Sequence, residues 1–327
     1  MTVRVGICST AHTNAEVYGS LLSEMPEVDL VGISDENPGR GRQRAAAVGV
    51  PLLSRSALFD AADGVLVCSP TVDHEAIFEE AIGDDVAVLT EKPLATTVAT
   101  ARRIRDRASE AGLLAGMAYP IRFSRSMHWA RAAYREGRLG DLVAVSAINR
   151  GRMPGGWFAD PDLAGGGAVM DHTEHIVDTV HWLLDERVVE VYADLATRFH
   201  DIPVEDVNLL SMELERGAPF VLDGSWSTPD EDPFWGDATV ELVGTDDAIA
   251  ADTFGQRLSH VQESRARTTE SVYWGADPNV GLLRDFVVAI QEHRQPRATL
   301  DTGVESVAVM EAAYESAERG EPVDVRY

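Results

Sequence analysis

A single lysine stands in this chain. Of its 28 lysines and arginines, 27 are arginine, and the exception is Lys92 in the tripeptide Glu91-Lys92-Pro93. A guanidinium is a planar fork that stays charged, whereas an ammonium is a compact three-donor charge whose pKa answers to its surroundings. A position that keeps lysine against so uniform a preference points to proton or oxyanion chemistry. A second candidate group lies far along the chain, where Gly165-Gly166-Gly167 precedes Asp171, His172, Glu174, His175 and Asp178. On a helix Asp171 and His175 are one turn apart and share a face. A carboxylate near the helix N-terminus is favoured by the dipole. Beside a histidine it fixes the ring's tautomer and raises its proton affinity, which is what a general base needs. A helix-capping aspartate and a satisfied core histidine are the alternatives. The His172, Glu174, His175 and Asp178 spacing would also suit a metal, but no distant ligand cluster completes it.

These groups need elements to hold them. Over the first 120 residues apolar strand patterns alternate with helical ones: Val3–Cys8, Val28–Ile33, Gly64–Cys68, Val86–Thr90 and Leu113–Ala118 as strands, with helices between. Such alternation predicts a Rossmann-type doubly wound parallel sheet over residues 1–119. Lys92 then follows the carboxyl end of the fourth strand read here, the side where open α/β sheets bind ligands. From residue 120 to 327 the rhythm changes. A helix over Ser126–Glu136, a strand over Leu142–Arg150 and a helix over Ala168–Leu184 precede a run of consecutive strands, Val188–Arg198, Asn208–Leu214, Phe220–Ser227, Ala238–Val243 and Ala248–Asp252. This predicts an α+β domain with a large, mostly antiparallel sheet, closed by helices at Val280–His293 and Val304–Arg319.

The first strand turns into its helix through Ser9, Thr10, Ala11, His12 and Asn14. A dinucleotide site has glycines there, so that the backbone can approach the pyrophosphate. Here the expected glycine positions hold Ser9, Ala11 and Asn14, which an ordinary strand–helix turn would also allow. Asp35 ends the second strand, where an acidic residue bonds the adenosine ribose and repels a 2′-phosphate. That favours NAD, with NADP left open by Arg40 and Arg42.

The 327 residues are 45% hydrophobic, enough for two cored domains. No apolar run is long enough to span a bilayer and no signal segment opens the chain, so a cytoplasmic protein is expected. Cys8 and Cys68 lie in apolar runs and read as buried thiols. A net charge of −26 argues against nucleic acid or anionic membranes as partners. The acidic, arginine-only composition fits a salt-rich cytoplasm, or alternatively a GC-rich genome.

Taken together, Glu91-Lys92-Pro93, Leu163 to Asp171 with His175, and Cys68-Ser69-Pro70-Thr71-Val72-Asp73-His74 resemble the signatures of the glucose–fructose oxidoreductase / inositol dehydrogenase / MocA family. The resemblance covers nearly the whole chain. It implies a nicotinamide-dependent oxidoreductase acting on a sugar, inositol or related polyol, with Lys92, Asp171 and His175 as the catalytic set. It also implies a cofactor contact surface including Ser69, Pro70, His74 and Glu91, and often a cis bond before Pro93. Homodimers or homotetramers would form through the open face of the second sheet. In the mechanism expected, His175 takes the hydroxyl proton, Lys92 stabilises the alkoxide and Asp171 orients His175. Tyr119, Arg122, Trp157, His172 and Trp235 are candidates to line the substrate pocket. An NAD-dependent glycosidase using transient oxidation and a non-catalytic sugar or NAD sensor are the rival readings.

Overall fold

The computed structural model describes residues 2–261 and 269–327, and the chain gathers into two compact units. The first holds the residues up to Tyr119 with Asp162–Gly165 and Asn279–Val307. Its opening elements alternate as β1 (Val3–Cys8), α1 (Asn14–Glu24), β2 (Val28–Ser34), α2 (Pro38–Val48), β3 (Leu52–Leu53), α3 (Arg55–Ala61), β4 (Gly64–Val67), α4 (His74–Asp84), β5 (Ala87–Thr90), α5 (Val98–Ala111) and β6 (Ala115–Met117). The six strands run parallel in the order β3-β2-β1-β4-β5-β6. Residues in β4 and β5 are buried at every position, as in strands covered on both faces. Side-chain caps start the helices: Asn37 accepts from two N–H groups of α2, Ser54 from α3 and Thr97 from α5. The segment Gly64–Cys68, read as the third strand, is the fourth. The two-residue β3 and the short α3 before it carry too few residues for a periodic signal.

Beyond Tyr119 come α6 (Arg125–Arg135), β7 (Leu142–Ile148), α7 (Pro161–Ala164), α8 (Glu174–Leu184), β8 (Val188–Ala196), β9 (Val207–Leu214), β10 (Pro219–Asp223), β11 (Thr239–Gly244), β12 (Ala248–Asp252), β13 (Arg257–Val261), β14 (Thr269–Tyr273), α9 (Pro278–Glu292), α10 (Leu300–Arg319) and β15 (Val323–Asp324). The second unit comprises Pro120–Pro161, Gly166–Pro278 and Ala308–Tyr327. Its sheet has seven strands, β12-β11-β7-β10-β9-β8-β15. All neighbours are antiparallel except β7 and β10, which run parallel. Alternate residues of β9 and β10 are buried, so one face packs on the core. The other face exposes Tyr192, Leu209 and Val221 at 44%, 43% and 45%.

Two departures from the sequence reading matter for the site. The helix expected from Ala168 begins as a π-helical turn, Val169–Thr173, before continuing as α8. The strand expected to reach Ser227 ends at Asp223. From there Gly224 and Trp226 still donate their N–H groups to Asn208 and Asp206, an extended path that carries both residues toward the π turn. In the first unit, α9 packs Phe286 and Ile290 where Gly64 has no side chain, and Met117 N–H bonds Ala298 O at 2.9 Å. Among the described residues no helix is long and apolar enough to cross a membrane.

Candidate active site

At the carboxyl ends of β1, β2 and β4 lies a cleft of about 430 Å³, lined by Ser9, Ser34, Asp35, Glu36, Ser54 and Ser69 among others. A larger cavity, about 800 Å³, opens at the amino ends of the strands around Val3, Asp63 and Ala87, the side away from which such sheets bind ligands. Ser9 has φ 66°, in the left-handed region that glycine enters without steric cost. Hydrogen bonds hold it there. Its N–H donates to Ser34 O at 2.8 Å, and its hydroxyl accepts from Ala11 N–H at 3.3 Å and donates to Glu36 at 3.2 Å. Ser9 therefore holds the left-handed conformation that a glycine would enter freely.

Asp35 is wholly buried at its carboxylate. It accepts from Thr10 N–H (2.9 Å), the Thr10 hydroxyl, Asn37 N–H (2.7 Å) and both Nε and Nη2 of Arg40 (3.0 and 2.8 Å). Burial by itself would raise the Asp35 pKa. The bonds from Arg40 and Thr10 outweigh it and hold the carboxyl below its ordinary range. Asp35, expected from the sequence at the ribose, lines this cleft and ties the two loops together, and Glu36 and Asp73 add exposed carboxylates to it. The hydroxyls, the acidic rim and the left-handed turn at the carboxyl ends of a parallel sheet fit the adenosine half of NAD.

Next along the sheet, β5 delivers Glu91 and Lys92, both buried, and the Lys92–Pro93 bond is cis. Glu91 Oε1 accepts from the Tyr18 hydroxyl at 2.8 Å and Asn14 Nδ2 at 2.9 Å, with His12 Nδ1 at 3.5 Å; Oε2 accepts from Lys92 N–H at 3.2 Å. Burial and the Glu91 charge push the Tyr18 phenol well above its usual pKa, so it stays a donor. Through these bonds Glu91, expected at the cofactor, anchors the turn after β1 to the lysine loop. His74 starts α4, and its Nδ1 lies 3.2 Å from Leu94 O. A carbonyl only accepts, so Nδ1 carries the proton. Burial pushes the His74 pKa down to about 4, and the neutral ring braces the loop after Pro93. Ser69 bonds its neighbour, Oγ to Pro70 O at 3.1 Å. Burial pushes the Cys8 thiol up to about 12 and Cys68 well above its usual range.

In the second unit the π turn gathers the other candidates. Asp171 Oδ2 accepts from the indole Nε1 of Trp226 at 2.9 Å and faces His172 Nε2 at 3.3 Å. His172 Nδ1 lies 3.1 Å from Gly224 O. Asn208 donates to the Thr173 hydroxyl at 2.8 Å. From Asp171 to Val180, His175 alone is only partly buried. The glycines before the turn have steric causes. A Cβ on Gly166 would fall 1.8 Å from the Tyr314 hydroxyl, and one on Gly167 would fall 2.1 Å from Glu205 O. Glu205 Oε1 receives the N–H groups of Gly167 (2.9 Å) and Val169 (3.0 Å) and the Tyr314 hydroxyl (2.9 Å), so it caps the helix carrying Asp171. Burial raises the Glu205 pKa against those bonds. π turns recur at functional sites because they shift which side chains line up.

The remaining pocket candidates are placed as follows. Arg122 forms a buried forked pair with Asp178. Tyr119 is buried, and Trp157 stacks on Phe158 at 4.1 Å beside a cluster that includes Trp226. Trp235 is 45% exposed and lies next to Gly151, whose other neighbour is His172. Sequence reasoning missed Trp226, Glu205 and Tyr18. Each acts across a long sequence separation, and only Trp226, as a rare residue after a strand, carried any signal. Among the described residues no three His, Cys, Asp or Glu side chains converge as metal ligands.

Residues 3–119 match the family model described as "Oxidoreductase family, NAD-binding Rossmann fold", and residues 127–250 match the GFO/IDH/MocA C-terminal domain. An inositol 2-dehydrogenase of Saccharopolyspora erythraea is 28% identical, with 99% of this chain and 97% of that protein aligned. A D-xylose 1-dehydrogenase (NADP(+)) of Haloferax volcanii is 27% identical over 91% of this chain and 93% of its own. The crystal structure of GenD2 from gentamicin A biosynthesis, in complex with NAD, superposes with TM-score 0.90 and 25% identity, covering 100% of this chain and 97% of that one.

Two measurements check the local physics. Ser9→Ala keeps the left-handed backbone and loses the hydroxyl bonds, whereas Ser9→Gly also relieves the strain. The glycine variant should be the more stable of the two by about 1 kcal/mol in urea unfolding, and equal stabilities would refute the strain. For His74 the native pKa of about 4 lies below the ordinary 6.5. The unfolded chain therefore binds the proton first, and stability present above pH 6.5 is lost as pH falls toward 4. Between pH 7 and pH 5 this histidine should account for about 2 kcal/mol. The stability loss over that interval should shrink by that amount in His74→Gln, and an unchanged loss would show that His74 is not responsible.

Proposed function

Because this chain belongs to the GFO/IDH/MocA oxidoreductases, we propose that it oxidises a secondary hydroxyl of a sugar, inositol or related polyol, or reduces the matching carbonyl. The observation that carries this reading is Lys92: the only lysine of the chain, buried, on a cis-proline loop at the carboxyl end of a nucleotide-binding sheet. The names of the relatives, an inositol and a xylose dehydrogenase, support the substrate class.

When bound, NAD supplies the hydride acceptor at its nicotinamide ring. The protein's own groups do the rest. His175 takes the hydroxyl proton as general base, and the Lys92 ammonium stabilises the oxyanion that develops. Asp171 is held in place by Trp226 and orients His175 from one turn away. Glu91 fixes the backbone at Lys92, which keeps the ammonium from wandering. In the reductive direction His175 returns the proton. Glu36, at the rim of the adenosine cleft, opposes a 2′-phosphate by charge repulsion. This supports NAD over NADP.

Lys92→Arg should lower turnover by about 10²–10⁴-fold on an inositol and aldose panel followed at 340 nm. Thermal stability and NAD affinity, read by fluorescence titration, should be retained. Near-normal turnover would remove Lys92 from the catalytic set. The open sheet face, with Tyr192, Leu209 and Val221 exposed, is further proposed to pair with a second copy of the chain. Leu209→Glu with Val221→Glu should then yield monomers by light scattering, and an unchanged mass would exclude this face.

A further inference from the structure

A helix leaves its first N–H groups without partners inside the helix. Where the helix carrying Asp171 and His175 begins, one residue takes three of them. Glu205 Oε1 accepts from Gly167 N–H at 2.9 Å and from Val169 N–H at 3.0 Å, and the Glu205 carbonyl accepts from Ala168 N–H at 3.0 Å. The Tyr314 hydroxyl, on α10, adds another donor to Oε1 at 2.9 Å. Gly166 and Gly167 leave the room that Tyr314 and Glu205 fill.

The same stretch reaches the rest of the π turn. Asn208 donates to the hydroxyl of Thr173, the last residue of the turn, at 2.8 Å. Between them the Asp206 carbonyl receives Trp226 N–H at 2.8 Å, and the Trp226 indole donates to Asp171 at 2.9 Å. The start, middle and end of the turn are thus tied to residues 205–208, at the entry to β9. That entry is itself fixed. Asp206 N–H donates to Ala196 O at 3.0 Å, and its carboxylate holds the N–H groups of Arg198, Phe199 and His200.

A π turn holds one residue more than an α turn, is rare and occurs mostly as a single turn within an α-helix. Winding of this kind needs contacts from outside the helix to select it. We propose that Glu205, backed by Tyr314, is a positioning residue that fixes the N–H groups of residues 167–169, holds the helix start in π register and so sets where Asp171 stands relative to His175. Regular α winding from the same start would rotate the side chains beyond the turn by about one residue, roughly 100° around the axis. The catalytic consequence rests on the roles proposed above for Asp171 and His175; the structural one does not.

Hydrogen exchange tests the structural part without a substrate. In the full-length protein, a peptide over residues 166–173 should exchange about tenfold faster in Glu205→Ala than in the unmodified chain, while one over residues 176–184 keeps its rate. Glu205→Gln retains an acceptor oxygen and should restore most of the protection. Tyr314→Phe removes one donor and keeps the ring. It should give a smaller rise confined to 166–173, and it decides the matter if Glu205→Ala does not fold. No rise at 166–173, or a rise shared equally by 176–184, would overturn the proposal. On the inositol and aldose panel, Glu205→Ala should lower kcat by about 10²-fold, the cost of a misplacement of about 1 Å. The KM for NAD should stay near its unmodified value, and Glu205→Gln should recover most of the loss. Lower thermal stability with an unchanged kcat per folded molecule would reduce Glu205 to a helix cap and refute the positioning role. If the unmodified protein turns over nothing on the panel, the alcohol reading fails, and the exchange rates still decide whether Glu205 holds the turn.

Discussion

A carboxylate taken out of water must be surrounded by donors, or it gives up its charge. This acidic chain meets that requirement repeatedly, and its functional regions are organised around the places where it does so. Asp35 gathers the Thr10, Asn37 and Arg40 donors and fixes the turn after β1 to the turn after β2. Glu91 gathers Tyr18 and Asn14 and fixes that same turn to the lysine loop. Asp206 collects the N–H groups of Arg198, Phe199 and His200, which folds the connection between β8 and β9. Glu205 beside it reaches the start of the π turn. Removing one partner of such a set leaves a buried charge unmatched, which costs more than the bond was worth.

The same constraint separates two kinds of acidic residue. At the surface, Glu75 with Arg103 and Glu79 with Arg107 form forked pairs between α4 and α5. Exposed pairs of this kind contribute little, roughly 0–1 kcal/mol each. The buried carboxylates are few, but they set backbone geometry. Arg122 and Asp178 follow the same rule from the basic side: a guanidinium in the core is matched by a fork of oxygens.

Much of this was legible in the residues. The parallel sheet followed from apolar strands joined by helices, and the placement of Lys92 at its carboxyl end followed from the strand before it. The Asp171 to His175 spacing named the helix that carries the second group. The letters did not reveal partners far apart in sequence. Nothing near Asp171 announces Trp226, and nothing near Gly167 announces Glu205. The π turn was hidden because an extra residue in one helical turn barely disturbs apolar periodicity. The donors around Asp35 were hidden for a related reason: they come from Thr10, Asn37 and Arg40, and none of these stands at a helical spacing from it.

Ser9 carries a consequence for binding. A glycine in a phosphate loop brings freedom that must be surrendered when a ligand orders it, and that loss of entropy subtracts from affinity. Here the left-handed bend is already enforced by the Ser34, Ala11 and Glu36 bonds. The loop has fewer alternatives to give up, so the strain has been built in at folding and does not fall due when the cofactor arrives.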